Sequence, residues 1–561
     1  MKISKGQMVS QQPWWPFGVG FLVASVAVFL VFGPAMNGPF LLDDTYLPYA
    51  QPAFATAPVS AWIAGTRPLL MLSYWLNFQE AGSEPGAYHV VNVLLHLLNG
   101  LLIWLAVRRV LTLSGAGQRE ILSAFAAGLF LLHPLQTESV AYIASRSEGQ
   151  SVFFFLAAFA LFLYRRAVSV SWGIAAAVLI LFGAACLTKE HAVVLPAMLL
   201  LTDYFWNPGF SLQGIRRNWK LYVPMLIAGA VAIVFVWRVL SSSTSAGFGM
   251  KDLPWYQYFF TQCRAIWRYA LFFAWPFGQN IDHDYPLSKT LFDHGAVIGL
   301  IGLIAVMGAA WRWRKRWPLV SYGVFTFLLL LSPTSSFVPI RDTLIERRMY
   351  LPFIGLLFIA VGLLQFWKTS QSTLAITLSA ILLVEAGLAY SRNQLWGDPT
   401  AMWSDSVAKS PAKVRPRFQL AAAYYSSGKC ADAADQFSRT AQLEKPTAAL
   451  LVDWALAADC AGNAGEALSR LQQALIIHPS AHIHTEIARE YAKLQRYPQA
   501  LDSLEAAAKI DPNYVMIYAY RGRVNAMRGD KAGAAVEYQR ALQIDPGNQL
   551  ARQGLSELSR P

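Results

Sequence analysis

Apolar runs of roughly 15 to 21 residues recur as far as Tyr390, more than a soluble core can bury. A bilayer crossing needs about 20 mostly apolar residues. With no water to satisfy the backbone there, each run is expected to be a helix. Crossings are expected near 17–36, 87–107, 120–135, 150–164, 172–187, 190–206, 221–240, 294–311, 318–332, 349–367 and 372–390. Beyond residue 391 the runs stop, and alanine-rich amphipathic stretches alternate with polar turns. The whole-chain averages, 55% hydrophobic and 14% charged, conceal that break. Trp14, Trp15, Trp311 and Trp313 flank apolar runs, where indole rings anchor at the lipid–water boundary.

The net charge of +13 raises nucleic acid as a partner, but its distribution argues against one. Arg108-Arg109, Arg165-Arg166, Arg216-Arg217-Lys220, Arg312 to Arg316 and Lys368 all sit in short connections between apolar runs. A cytosolic N-terminus puts every one of these connections inside, as positive-inside orientation requires. Residues 37–86, 136–149, 241–293 and 333–348 then face outward, as does the tail. The first run has no convincing cleavage site and is expected to be a retained helix. Residues 255–276 are apolar but carry Arg264 and Arg268, so they are expected to lie in the interface rather than cross.

The tail repeats itself. Ala433, Ala467, Ala500 and Ala534 recur at intervals of 34, 33 and 34, and Pro446, Pro479, Pro512 and Pro546 at 33, 33 and 34. A bulky residue, Phe437, Leu471, Leu504 or Tyr538, lies between each pair. A small residue lets two helices approach, a bulky one fills the gap and proline ends the second helix, which is the tetratricopeptide signature. The chain therefore divides into a membrane domain over 1–391, a junction half-repeat over 392–413, and four repeats with a capping helix over 414–561. The concave face of such a stack suits an extended peptide or a partner subunit, although a purely architectural spacer would carry the same pattern. Cys430 and Cys460 lie near neighbouring turns, and an oxidising compartment would permit a disulfide between them. With Cys186 and Cys263 they show no zinc-like spacing.

Ionisable residues gather on the outward side. Asp43-Asp44 follow the first crossing, and two adjacent carboxylates can supply a general base and an orienting or metal-binding group. Arg67, His89, His133, Glu138, Arg146, Glu148, Lys189, Glu190, His191, Arg264, Glu346, Arg347 and Arg348 join them. Arginine holds phosphate through charge-assisted, often bidentate hydrogen bonds and offsets charge on a leaving group. Arg347, Arg348, Arg146, Arg264 and Arg67 are thus candidates for holding a phosphate-linked donor. His133, Glu138, Glu190, His191, Glu346 and His89 are expected near the substrate. A divalent metal is left open, with Asp43, Asp44, Glu138 and His133 as its possible ligands.

Several stretches carry a family resemblance: RPLLMLSYWLNF from Arg67, YHVVNVLLHLLNGLL from Tyr88, HPLQTESVAYIASRSE from His133, LTKEHAVVLPAMLLLTDYF from Leu187 and ERRMYLP from Glu346. Together with Asp43-Asp44 and the junction RNQLWGDPTAMWSDS, they resemble bacterial relatives of the transmembrane and tetratricopeptide-repeat O-mannosyltransferases of the glycosyltransferase-C superfamily. The resemblance implies an all-α, polytopic glycosyltransferase-C-like bundle of about eleven crossings, followed by a periplasmic repeat solenoid. It further implies inverting transfer of a sugar from a polyprenyl-phosphate carrier to an exported protein such as a pilin, at the outer face of a bacterial inner membrane. The base would be Asp44 or Asp43, with Asp44 slightly preferred. Glu346-Arg347-Arg348 stands where relatives often have Asp-Arg-Tyr, and Ser147-Glu148 where many have Lys-Asp, so sugar and carrier specificity stay open. Two other readings fit the same features. One is a membrane-anchored repeat scaffold for an envelope assembly; the other is a related enzyme acting on lipid A or a polysaccharide.

Overall fold

The computed structural model describes residues 15–165, 167–242 and 246–559; Trp14 and Arg166, invoked above, lie outside them. The protein is all-helical and falls into two compact units, divided between Pro399 and Thr400.

Every apolar run of the first unit carries a helix: Trp15–Phe32, Pro85–Ser114, Arg119–Leu132, Arg146–Leu163, Trp172–Cys186, Leu195–Trp206, Trp219–Ser242, Ala296–Arg312, Pro318–Leu331, Phe353–Leu364 and Gln371–Gly397. Four stretches, Phe17–Asn37, Pro85–Ser114, Asp293–Arg312 and Gln371–Gly397, are long and apolar enough to span a bilayer unaided. Their outer faces are apolar: Leu22, Val23, Ile298, Ile301 and Leu383 are exposed, as lipid contact requires. The 12-residue helices Leu195–Trp206 and Phe353–Leu364 rise only about 18 Å. They are shorter than the runs that announced them: Glu190–Val194 winds as a 3-10 turn, and 350–352 and the residues after Leu364 are turns.

Local sequence sets the ends. The helix Pro85–Ser114 begins on a proline, whose missing N–H costs nothing at that position, and stops at Gly115, which takes a left-handed φ of 72°. Trp255–Ala274 buries Tyr258, Thr261, Gln262, Ala265, Tyr269 and Phe272 while Trp255, Trp267 and Leu271 stay exposed, an amphipathic division suited to an interface. The first outward loop is not wholly irregular. Pro68–Ala81 forms a helix whose Leu70, Tyr74 and Asn77 are buried.

Close contacts lock the bundle. A Cβ on Gly355 would lie 2.3 Å from the backbone nitrogen of Phe327, so Pro318–Leu331 and Phe353–Leu364 pack backbone to backbone. The end of Trp15–Phe32 is stitched to the end of Gln371–Gly397. Asn393 donates to the Val31 carbonyl at 2.9 Å. A Cβ on Gly38 would meet the Trp396 carbonyl oxygen at 2.6 Å, and one on Gly397 the Pro34 carbonyl oxygen at 2.5 Å.

The second unit stacks antiparallel pairs: Val414–Ser426 with Cys430–Leu443, Ala448–Cys460 with Ala464–Ile477, Ala481–Lys493 with Tyr497–Ile510, and Val515–Met527 with Lys531–Ile544. Gln549–Leu558 caps them. Ala433, Ala467, Ala500 and Ala534 are fully buried, with Phe437, Leu471, Leu504 and Tyr538 packed one turn on. Cys430 and Cys460 form a disulfide, their Cα atoms 5.6 Å apart and so within bridging reach.

Candidate active site

Asp43 and Asp44 occupy a 3-10 turn, Leu42–Tyr46, which points neighbouring side chains in different directions. Asp44 turns inward and is 1% exposed. One carboxylate oxygen accepts from the Ala144 amide at 2.7 Å and the Tyr49 hydroxyl at 3.0 Å, and the other from the Leu41 amide at 3.0 Å. It therefore splices the 37–86 loop onto the 136–149 loop. Burial pushes its carboxyl up to about 7, against the pull of those three donors. Asp43 turns outward. Its amide donates to the Tyr142 hydroxyl at 2.9 Å, and its carboxylate accepts no hydrogen bond among the described residues. Asp44 is thus engaged by three donors of the fold, whereas the Asp43 carboxylate keeps its accepting capacity.

Tyr142 links this loop to the last one. The Arg347 guanidinium lies over its ring at 5.6 Å, and Trp396 stacks against it at 6.1 Å. Arg347 donates to Glu138 twice, from Nη1 at 2.5 Å and from its amide at 3.0 Å. Burial raises the Glu138 carboxyl despite that pairing, and Glu138 raises Arg347 in turn. The Arg347 side chain remains 24% exposed.

Charge continues in a band across the 189–191 turn. Glu148 pairs with Lys189 and lies 3.4 Å from His191 Nδ1, and it feels the charge of Arg347. Arg67 and Glu190 meet in a two-pronged pair at 2.9 and 2.8 Å, each more than a third exposed. Arg67 and Arg347 are thus phosphate candidates whose side chains keep some exposure.

Of the other three arginines, Arg146 and Arg348 are buried and Arg264 is partly exposed but engaged by its own loop. Arg146 is buried between the Tyr74 and Tyr88 rings and donates to Asn92 at 2.9 Å, Asn77 at 2.7 Å and the carbonyls of Tyr88 and Ser73. Arg348 donates to the Tyr258 hydroxyl and the Asp342 and Thr343 carbonyls. Arg264 is held by Ser288 at 2.8 Å, the Pro286 carbonyl at 3.1 Å and the Tyr285 ring. All three pin loops. Glu346 likewise anchors the 279–283 segment through the Asn280 amide at 2.5 Å and His283 at 2.8 Å.

The four suggested metal ligands do not assemble. His133 Nδ1 accepts from the Leu135 amide and Nε2 donates to the Phe273 carbonyl, both at 3.1 Å, while Glu138 is taken by Arg347. Among the described residues no group of three His, Cys, Asp or Glu side chains is placed to hold an ion. His89 is buried too, its Nε2 on the Gly38 carbonyl at 3.1 Å. Sequence reasoning passed over Tyr142 and His283. Tyr142, four residues before Arg146 in a loop otherwise rich in small residues, offered the one usable cue.

A tetratricopeptide-repeat family matches residues 485–549. The chain is 24% identical over 402 residues to protein O-mannosyl-transferase F38B6.6 of Caenorhabditis elegans, covering 67% of this chain and 54% of that protein. It is 24% identical over 479 residues to human protein O-mannosyl-transferase TMTC4, covering 72% and 63%. With protein O-mannosyl-transferase Tmtc1 of Drosophila melanogaster it shares 37% identity over 134 residues, 24% of this chain and 15% of the fly protein. The chain thus spans little more than half the length of the curated relatives it matches most fully. Among solved structures, the repeat protein YrrB matches at 17% identity and a TM-score of 0.26, over 31% of this chain and 89% of that one. The chain is thus similar over more than 400 residues to TMTC protein O-mannosyl-transferases, and its second unit carries tetratricopeptide repeats.

Proposed function

We propose that this protein is a glycosyltransferase of the membrane that moves a sugar from a polyprenyl-phosphate carrier to a serine or threonine hydroxyl of an exported protein. The observation that carries the proposal is Asp43, an outward carboxylate fixed by its backbone to Tyr142, whose ring lies under Arg347. Asp43 removes the proton of the acceptor hydroxyl as its oxygen attacks the anomeric carbon from the face opposite the phosphate. The bond from that carbon to the phosphate oxygen breaks, and the carrier phosphate departs with the electron pair. Arg347 and Arg67, whose side chains keep some exposure, offset the charge that develops on it. The attack inverts the anomeric centre. The reaction takes place on the outer face of the membrane, and the repeats bind the protein acceptor.

Asp43→Asn tests the scheme. At normal membrane abundance, the variant should leave exported proteins without the glycan, read as a mass difference between wild-type and variant cells. Full glycosylation by Asp43→Asn would refute the assignment of the base. A mass change confined to lipopolysaccharide would move the acceptor from protein to lipid A or polysaccharide.

A further inference from the structure

A polar cavity lies at the end of the bundle away from the candidate active site. The helix Pro85–Ser114 carries Tyr88 beside the candidate active site and Arg109 near its opposite end. The 21 residues between them rise about 32 Å, close to the thickness of a bilayer's hydrocarbon layer. Arg109 there borders a cavity of about 220 Å³ with Arg165, Asp203 and Asn207 on its polar side and Leu113 and Val168 on its apolar side.

Membrane orientation alone requires only charge in the connection. This cavity has a constructed floor. Asp203 is fully buried and accepts from Arg165 at 2.8 Å, Asn207 at 3.1 Å, Asn218 at 2.5 Å and Tyr222 at 2.7 Å. Arg165 is held further by the Phe162 carbonyl at 2.7 Å. With four donors already on its carboxylate, Asp203 has little accepting capacity left and serves to fix Arg165. Arg109 is different. Its Nε donates to the Leu163 carbonyl at 3.1 Å and its guanidinium sits over the Tyr164 ring, but its two terminal nitrogens have no hydrogen-bond partner among the described residues. Among the described residues no carboxylate pairs with it. Among the described residues, two guanidinium groups against one carboxylate leave the cavity with a net positive charge and, on Arg109, an unspent donor fork.

We infer that this cavity binds the phosphate headgroup of an anionic glycerophospholipid. The fork matches a phosphodiester bidentately. The rim supports a lipid rather than a soluble phosphate, because Leu113 and Val168 are 40% and 55% exposed and offer apolar surface to acyl chains. Basic pockets between membrane helices are a recurrent way of holding such headgroups.

The full-length protein in neutral detergent tests this by native mass spectrometry, with phosphatidylglycerol, phosphatidylcholine and glycerol 3-phosphate as probes. Phosphatidylglycerol should bind at least tenfold more tightly than phosphatidylcholine, and Arg109→Gln should weaken it about tenfold or more. Arg109→Lys, which keeps the charge but loses the fork, should fall between the two, and it serves as the test if Arg109→Gln does not fold. Arg119→Gln, a basic connection residue outside the cavity, should bind as wild type does. Equal binding of both lipids, or an undiminished affinity in both Arg109 variants, would overturn the inference. So would displacement of the lipid by glycerol 3-phosphate at equal concentration, which would assign the cavity to a soluble phosphate.

Discussion

Removing the Arg347 guanidinium isolates a charge that has no other side-chain partner. Glu138 is 2% exposed and its hydrogen bonds come from Arg347 alone, through the side chain at 2.5 Å and the amide at 3.0 Å. Arg347→Gln keeps the amide bond and loses the ion pair. Stranding one member of a buried pair costs about 3–5 kcal/mol. Protonation sets a ceiling on that cost. From an unfolded value of about 4.3, neutralising the carboxyl at pH 7 costs about 4 kcal/mol, at about 1.4 kcal/mol per pH step. The sign follows from linkage: burial already raises Glu138 in the folded protein, and loss of Arg347 raises it further. The penalty is therefore present above the unfolded value, grows with pH, and falls to about 1 kcal/mol at pH 5. Glu138→Gln should cost only about 1–2 kcal/mol, because Arg347 reaches solvent. The double variant should be more stable than the sum of the singles by about 2 kcal/mol or more at pH 7.5. Reversible unfolding in mixed detergent micelles at pH 5 and 7.5 measures all four proteins. Additive costs, or an Arg347→Gln penalty that does not change with pH, would refute the reasoning.

Asp44 titrates with the same sign by a different route. Because burial lifts its carboxyl to about 7 from 3.8, its contribution to stability is complete below 3.8 and declines as pH rises through 7. Asp44→Asn should therefore cost most near pH 4, and by pH 8 the gap from wild type should shrink by about 4 kcal/mol; a gap that widens in unfolding measurements would contradict this. Replacing Cys430 and Cys460 by alanine opens a loop of 30 residues and should destabilise the repeat unit by about 3–4 kcal/mol, read by denaturant unfolding with and without reductant. Gly355→Ala drives a methyl group into the Phe327 backbone and should lower bundle stability by about 1–3 kcal/mol, whereas Gly183→Ala, with open space around it, should be neutral by the same assay.

The helices and repeats were legible because each depends on short-range pattern. A run such as 87–107 must be helical in lipid, and a 33- or 34-residue period places Ala467 opposite its neighbours without knowledge of anything distant. The site was legible only as a set of candidates. Asp43 and Asp44 are adjacent and chemically identical, and what separates them is the Ala144 amide, 100 residues away. Arg146 and Arg67 read alike in sequence, yet one is enclosed by two tyrosine rings and two amides while the other faces outward beside Glu190. Such partners come from tertiary packing, which periodicity does not encode.

The seam between Val31–Gly38 and Asn393–Gly397 has a bearing on biogenesis. These segments leave the ribosome some 360 residues apart, the earlier one only a few residues ahead of Asp43. The seam beside the loop bearing that aspartate can close only once Gln371–Gly397 has been made. A chain lacking Asn393–Gly397 would hold Asp43, Tyr142 and Arg347 but not the abutment on Gly38. Closure next to the candidate site is thereby tied to completion of the bundle.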